Sequence, residues 1–430
     1  MLGFFTIIFF GALLLMLPHA VINGKGLSFL DALFTATSAV CVTGLVVVDT
    51  GTTFTTFGQI VILLLIQIGG LGFMTFATLF AILLGRKINL KERLLLQEAL
   101  NQVTLEGIVR LAKYVIQISF CIEVIGAAIL TLRWGVEAGW SKGIFLGIFH
   151  SISAFNNAGF DIMGGFSSMT AYTGDPIVNL TIMFLILTGG FGFVVLAELY
   201  EKRRIKLSLH SKVVISTSFI LVVFGAITIF ALEFNNPLTL SNLDPAAKIL
   251  ASIFQSVTPR TAGFNTVNIA DLRDTTLLIV LILMFIGASP GSTGGGIKTT
   301  TFLAIVLSVV STLKGKCHVT LSERTLPKGI TNKAIAITTL AIILVFFTTL
   351  VLTITEEADF LTLLFESVSA FGTVGLSMGI TPQLSSLGKI AIIFTMFCGR
   401  LGPLTLAFAL SQNKDKIVQI KYPDERIIIG

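Results

Sequence analysis

Polar residues punctuate this chain in short clusters, and between them run apolar stretches long enough to cross a bilayer. A helical crossing needs about 20 predominantly apolar residues. Such stretches fall at 2–17, 59–84, 111–133, 177–198, 212–234, 275–288 continuing through 299–313, 333–355 and 387–411. They predict eight helical crossings, one of them interrupted. The interruption reads GASPGSTGGGIKTTT, residues 287–301. Pro290 removes a backbone donor, and Gly287, Gly291, Gly294, Gly295 and Gly296 each weaken a helix by about 1 kcal/mol against alanine. Helix is expected to stop near Ala288 and restart near Lys298, leaving an intramembrane loop at 288–297. The second helices that carry the Gly pairs 69–70 and 189–190 are expected to run through unbroken.

The polar connections are of two kinds. Segments 86–110, 202–212, 314–333 and the tail from 412 onward hold 19 of the 29 Lys and Arg residues. The positive-inside bias places them in the cytoplasm and the alternate connections outside. Each outer connection contains a semi-apolar segment too short to span: FTATSAVCVTGL (34–45), FHSISAFNNAGF (149–160), FQSVTPRTAGF (254–264) and FESVSAFGTVGL (365–376). All four start with Phe, carry Ser or Thr a few residues on, and end in Gly followed by Leu or Phe. Their glycines, Gly44, Gly159, Gly263 and Gly375, are 115, 104 and 112 residues apart. The helix that follows repeats as well, as IGGLGF (68–73), TGGFGF (188–193) and CGRLGP (398–403).

Self-similarity at a near-fixed period dictates architecture. Each unit is a helix, a re-entrant segment and a second helix, so every unit starts on the same side and all four are parallel about an axis along the membrane normal. The expected fold is an all-α polytopic membrane protein of four helix–pore-loop–helix repeats around a central pore, similar to a potassium channel. The repeats occupy 1–85, 86–200, 201–313 and 314–411, with a cytoplasmic tail at 412–430.

Composition narrows the chemistry. With 54% hydrophobic and 12% charged residues, against roughly 25% charged in soluble domains, most of the chain belongs in lipid and no nucleic-acid partner is expected. The four cysteines and four histidines are scattered, without zinc or disulfide spacing. A Walker A loop fails at 291–299 because Ile297 separates Gly296 from Lys298. His150 beside Ser151 is too weak a pairing for an intramembrane enzyme, and no span carries the regular Arg of a voltage sensor.

Non-helical backbone is tolerated at membrane depth only where protein buries it or a watery cavity borders it. Short helices from about Phe34 to Ala39, and their equivalents, would aim their negative C-terminal ends at the axis. The following backbone carbonyls would replace the hydration shell of a monovalent cation. Those segments are Val42-Thr43-Gly44, Asn157-Ala158-Gly159, Thr261-Ala262-Gly263 and Thr373-Val374-Gly375. An alternating-access cotransporter is the rival reading, which inverted repeats would favour.

On these motifs the chain resembles the Trk/Ktr/HKT superfamily of potassium transporters, specifically its Ktr branch. The resemblance covers nearly the whole chain. It implies a potassium filter at the four glycines, and glycine rather than serine at the first, Gly44, goes with potassium preference. It also implies a gate formed by the loop with Pro290, Gly291, Gly294, Gly295 and Gly296. Two basic residues bear on that loop: Lys298, expected to face water or cytoplasm, and Arg400, expected to bond the carbonyls the loop frees. The resemblance further implies a homodimer in the bacterial cell membrane and a cytosolic ring of nucleotide-binding RCK subunits, of KtrA or KtrC type. ATP or ADP would bind that ring alone, and Na+ would act as an activator. The loops around Lys87–Glu106, Lys202–His210 and Lys314–Lys328 are the expected docking surfaces.

Four further groups draw attention. Arg260 either tunes the outer mouth or anchors its pore helix. Asp31, Asp161 and Glu366 lie in or near the outer vestibule. Glu123 and Glu198 are expected to pair with helix ends or polar groups.

Overall fold

The computed structural model describes residues 2–72, 94, 96, 108–201, 207–316, 318–321 and 323–402. The end of the span at 59–84, most of 86–110, residues 202–206 of the expected docking loop Lys202–His210, Cys317, residues 403–411 and the 412–430 tail lie outside the described residues.

The described chain is mostly helical. Unit one comprises α1 (Leu2–Leu15), the re-entrant α2 (Phe29–Val40) and α3 (Thr56–Leu71). Unit two has α4 (Ile108–Ala138), the re-entrant α5 (Trp140–Phe155), α6 (Pro176–Gly190) and α7 (Phe193–Glu201). Unit three has α8 (Leu209–Glu233), the re-entrant α9 (Pro245–Val257), α10 (Asp274–Phe285) and α11 (Thr299–Leu313). A two-residue hairpin, Thr320–Leu321 with Arg324–Thr325, leads to unit four: α12 (Lys328–Thr355), the re-entrant α13 (Phe360–Gly372) and α14 (Ser386–Leu401).

Polar side chains start the helices where the sequence turns into lipid. Ser28, Thr55, Asp175, Ser208 and Ser385 each accept an amide of the first turn of α2, α3, α6, α8 and α14, which satisfies donors that lipid could not. Two carboxylates at the ends of first helices do the same across a unit. Glu233 accepts from the Arg273 amide at 3.0 Å, and Glu356 accepts from the Ser385 amide at 3.0 Å.

Among the described residues, Ile108–Ala138, Leu209–Glu233 and Gly329–Thr355 are individually long and apolar enough to cross a membrane, and α6 and α7 are so only when taken together across their bend. Their outer faces carry large exposed apolar side chains such as Phe120, Phe219 and Phe346. Inward, the re-entrant helices are the most buried elements: Phe34, Phe149, Phe254 and Phe365 are at most 1% exposed. Unit four packs back against unit one, since Leu352, Leu363, Ile392 and Met396 share a core with Phe34 and Ile62. The Lys389 ammonium bonds Asp31 Oδ1 at 2.7 Å across that seam.

Two expectations about helix ends need correction. The re-entrant helix of unit one starts at Phe29, not Phe34. The second helices of units one and two run through their Gly pairs as expected but end directly after them, and α6 stops short of the expected span 177–198. In unit two α6 and α7 meet at 99°, and in unit one α3 ends at Leu71. The third glycine of each repeat is the cause: Gly72, Gly192 and Gly402 adopt φ of +85°, +94° and +86°, a region costly to any residue with a Cβ. In unit three the break is wider than expected, from Ile286 to Lys298.

Candidate functional site

The four re-entrant helices end in backbone of one unusual type. Val42, Asn157, Thr261 and Thr373 have φ of +51°, +55°, +76° and +49°, and two residues later Gly44, Gly159, Gly263 and Gly375 have φ of +88°, +67°, +80° and +92°. Non-glycine residues in the left-handed region cost about 1–3 kcal/mol each. The same strain at four equivalent places marks a built feature. Alternating the sign of φ turns successive carbonyls of an extended segment toward one side.

These glycines form a closed ring. A Cβ on Gly44 would meet Ala158 O at 2.5 Å and Gly159 Cα at 3.1 Å. One on Gly159 would meet Ala262 O at 2.7 Å and Gly263 Cα at 2.9 Å, and one on Gly263 would strike Val374 O and come within 3.3 Å of Gly375 Cα. One on Gly375 would strike Thr43 O and lie 3.0 Å from Gly44 Cα, which returns to the start. Four glycines therefore alternate with four backbone oxygens, in unit order, and no side chain beyond hydrogen fits between them. Above the ring opens a cavity of about 370 Å³, lined by all four glycines together with Asp49, Asp161, Asn265, Asn268 and Ser377.

Below the ring lies the broken stretch of unit three, between α10 and α11. Residues Ile286 and Ile297 bridge to close its base, the Ile297 amide reaching Phe285 O at 3.2 Å. The turn rises against three of the four ring segments. The Gly295 amide donates to Thr373 Oγ1 at 3.0 Å, Thr293 Oγ1 lies 3.1 Å from the Asn157 carboxamide, and a Cβ on Gly294 would strike Thr261 Oγ1. On its flank the loop docks onto the kink of unit two. The amides of Ser289 and Thr293 donate to Gly190 O at 3.0 Å and Gly189 O at 3.3 Å, and Phe193 donates back to Gly291 O at 2.8 Å. The α6 carbonyls freed by Gly192 thus accept the amides freed by Pro290 and its neighbours.

Two cations hold the loop. Arg400 donates to Thr293 O, and also to Gly69 O at 2.5 Å and Gly70 O at 3.0 Å at the end of α3. Lys298 does not simply face water: its Nζ folds back onto Gly294 O at 2.6 Å and Gly295 O at 3.3 Å. A C-terminal helix end and an unpaired loop both expose carbonyls, and each is a good acceptor for a charged donor.

The amino-acid pattern of residues 7–420 matches the TrkH family, described as cation transport protein. The chain belongs to the TrkH family of cation transport proteins. This TrkH-family chain is 50% identical to the Ktr system potassium uptake protein B of Bacillus subtilis, over its whole length and 95% of that relative. It is 40% identical to the protein of the same name from Vibrio alginolyticus, over its whole length and 94% of that protein. It is also 38% identical to the potassium/sodium uptake protein NtpJ of Enterococcus hirae, over its whole length and 96% of that protein. Its fold is similar to the crystal structure of the potassium transporter TrkH from Vibrio parahaemolyticus, with a TM-score of 0.75 at 21% identity over 95% of this chain and 85% of that one. It is a multi-pass membrane protein.

Other singled-out residues take more local roles in this TrkH-family chain. Arg260 is 5% exposed and donates to Ser218 Oγ at 3.0 Å, which fastens the end of α9 to α8. Asp31 pairs with Lys389, Asp161 lines the outer cavity, and Glu366 is buried behind the ring. Glu123, buried in α4, accepts from Gln67 of unit one at 3.1 Å and from Asn156 at 3.1 Å. His150 Nδ1 bonds Leu146 O at 2.8 Å and Ser151 donates to Glu123 O at 2.6 Å, so the two are not paired with each other. Sequence reasoning missed Asp49, which accepts from the Thr52 amide at 2.7 Å and the Phe166 amide at 2.6 Å and so joins units one and two above the ring. It also missed what the first glycine of each pair does. Gly69, Gly189 and Gly399 lie against the carbonyls of Val40, Phe155 and Phe371, where a Cβ would collide. The repeated glycine was visible in the sequence; its contact was not.

Proposed function

We propose that this chain takes potassium into the cell through the ring of Gly44, Gly159, Gly263 and Gly375, with the loop 286–298 as its gate. The observation that carries the reading is the closed order of glycine and backbone oxygen around one axis. Neutral main-chain oxygens suit a monovalent cation with a removable hydration shell, whereas calcium sites favour carboxylates. The membrane potential supplies about 2.3 kcal/mol per charge per 100 mV, so neither a covalent step nor a bound cofactor is required in this chain. The names of the relatives from Bacillus subtilis and Vibrio alginolyticus support potassium as the ion.

The word "system" in those names supports a partner, which we take to be a cytosolic nucleotide-binding RCK ring on a homodimer of this chain. ATP or ADP would act there, and sodium would act as an activator. The relative named for potassium and sodium favours a second reading, in which sodium also passes.

Potassium and sodium fluxes into proteoliposomes separate these readings. Potassium preference in the wild type that falls in Gly44→Ser and Gly375→Ser, with flux retained, supports the filter. Equal fluxes of both ions in the wild type favour the second reading. A potassium preference that both variants keep at wild-type thermal stability overturns the assignment of the ring.

A further inference from the structure

The residue after the opening Phe of each repeated Phe-to-Gly segment differs among the four repeats, yet is always buried. Thr35, His150, Gln255 and Glu366 follow Phe34, Phe149, Phe254 and Phe365, and all four are at most 2% exposed. Burial so deep is costly for polar groups unless they are bonded, and their partners form a pattern. His150 Nε2 accepts from the Ile162 amide at 3.4 Å. Gln255 Nε2 donates to Val267 O at 3.4 Å. Glu366 accepts from Ser377 Oγ at 2.8 Å and from Thr381 Oγ1 at 2.5 Å. Every one of these partners lies two to six residues beyond the ring glycine of the same unit. The hydroxyl of Thr35 instead donates to Asp31 O at 2.8 Å, inside its own helix.

We propose that His150, Gln255 and Glu366 are positioning residues, struts that brace the outer end of the ring from behind in units two, three and four, while unit one has no such strut. The inference rests on the transport reading above. A ring that must not shrink onto a smaller ion needs its backbone held from outside, because its oxygens have no covalent link to one another. Each strut ties the rising segment to the rigid helix behind it, at a point just past the glycine. Four chemically different side chains at one repeat position argue against a shared surface role. Three of them reach the same target by different hydrogen-bonding chemistry. The outer segment of unit one is fastened sideways instead, through Asp49 to the Phe166 amide of unit two.

The test compares potassium over sodium uptake by proteoliposomes in wild type, His150→Phe, Gln255→Leu, His150→Gln, Glu366→Gln and Thr35→Val. Loss of one buried bond is expected to reduce the preference for potassium about fivefold in His150→Phe and Gln255→Leu. His150→Gln and Glu366→Gln keep a group able to reach the same partners and should restore most of it. Thr35→Val should leave the preference unchanged. Should His150→Phe not fold, Gln255→Leu carries the test, because it removes the tie from α9 to Val267 O and leaves that oxygen only the local Asn265 Nδ2 donor at 3.0 Å. A wild-type preference in Gln255→Leu at wild-type thermal stability overturns the struts while leaving the filter standing. So does an equal loss in Thr35→Val, since burial alone would then explain both. A wild type without preference overturns the filter and the struts together.

Discussion

Arg400 Nη2 stands 3.0 Å from the carbonyl oxygen of Gly70, so a guanidinium from the fourth unit clasps the C-terminal end of α3 in the first. The same group donates to Thr293 in the loop of the third. One side chain thereby joins three units directly below the glycine ring. Removing it leaves these carbonyls without their charged donor and frees the loop on that side. Arg400→Ala is expected to raise basal cation flux severalfold in proteoliposomes with the preference among ions unchanged. Arg400→Lys should fall between, since an ammonium cannot present the planar fork that reaches Thr293, Gly69 and Gly70 at once. Basal flux at or below wild type in a folded Arg400→Ala protein would remove the arginine from the gate.

Deletion of residues 289–296 tests the loop itself. The glycine ring draws on none of these residues for its backbone oxygens, whereas the loop beneath it is built from them. Flux should rise and selectivity should hold. Gly295→Ala is the smaller version: its Cβ would sit 2.5 Å from Thr373 Oγ1, which forces the loop down from the ring. Partial loss of occlusion is expected, read as flux intermediate between wild type and the deletion.

The outer cavity predicts a pH dependence through Asp161, in the outer connection beyond the ring. Burial pushes its carboxyl up to about 7; the Met163 amide opposes the shift and the nearby Asp49 adds to it. Below that pH the group is neutral, and above it a negative charge faces the mouth where cations gather. Uptake is expected to rise as the external pH goes from 6 to 8, and Asp161→Asn should flatten that rise. The sign for stability is opposite. A carboxyl whose folded pKa exceeds its unfolded one binds more protons in the native state, so stability falls as pH climbs from about 4 to about 7 and then levels off. Thermal melts of wild type and Asp161→Asn across that range check it, and parallel curves would refute it.

The seam between first and last repeats predicts a modest loss. Lys389→Ala removes the ion pair with Asp31, whose side chains are 16% and 24% exposed. Pairs that retain access to water contribute about 0.2–1 kcal/mol. A double-mutant cycle with Asp31→Asn should return a coupling of that size, and zero coupling would show that apolar packing alone closes the seam.

Much of this molecule could be read from the order of its residues. Length and apolarity alone placed α4, α8 and α12 in the bilayer, and the four Phe-to-Gly segments foretold four equivalent re-entrant elements. Pro290 and its glycines announced a broken helix. Those features are local: each depends on a run of neighbours and on what lipid permits the backbone to do. The end of α3 at Gly72 and the bend at Gly192 were also written locally, in the third glycine of each repeat, but a glycine within an apolar helix is compatible with either outcome.

What only the tertiary structure decided is who meets whom. Nothing in the chain near Gly375 says that its neighbour is Gly44, or that Thr43 supplies the oxygen between them. That contact exists because four parallel units close around an axis. Lys298 shows the same limit. Its charge called for water, yet the bend of the loop brought Gly294 O and Gly295 O within reach. Sequence determined the units and the backbone each could adopt; closure of the ring determined which carbonyls, glycines and cations were left facing one another.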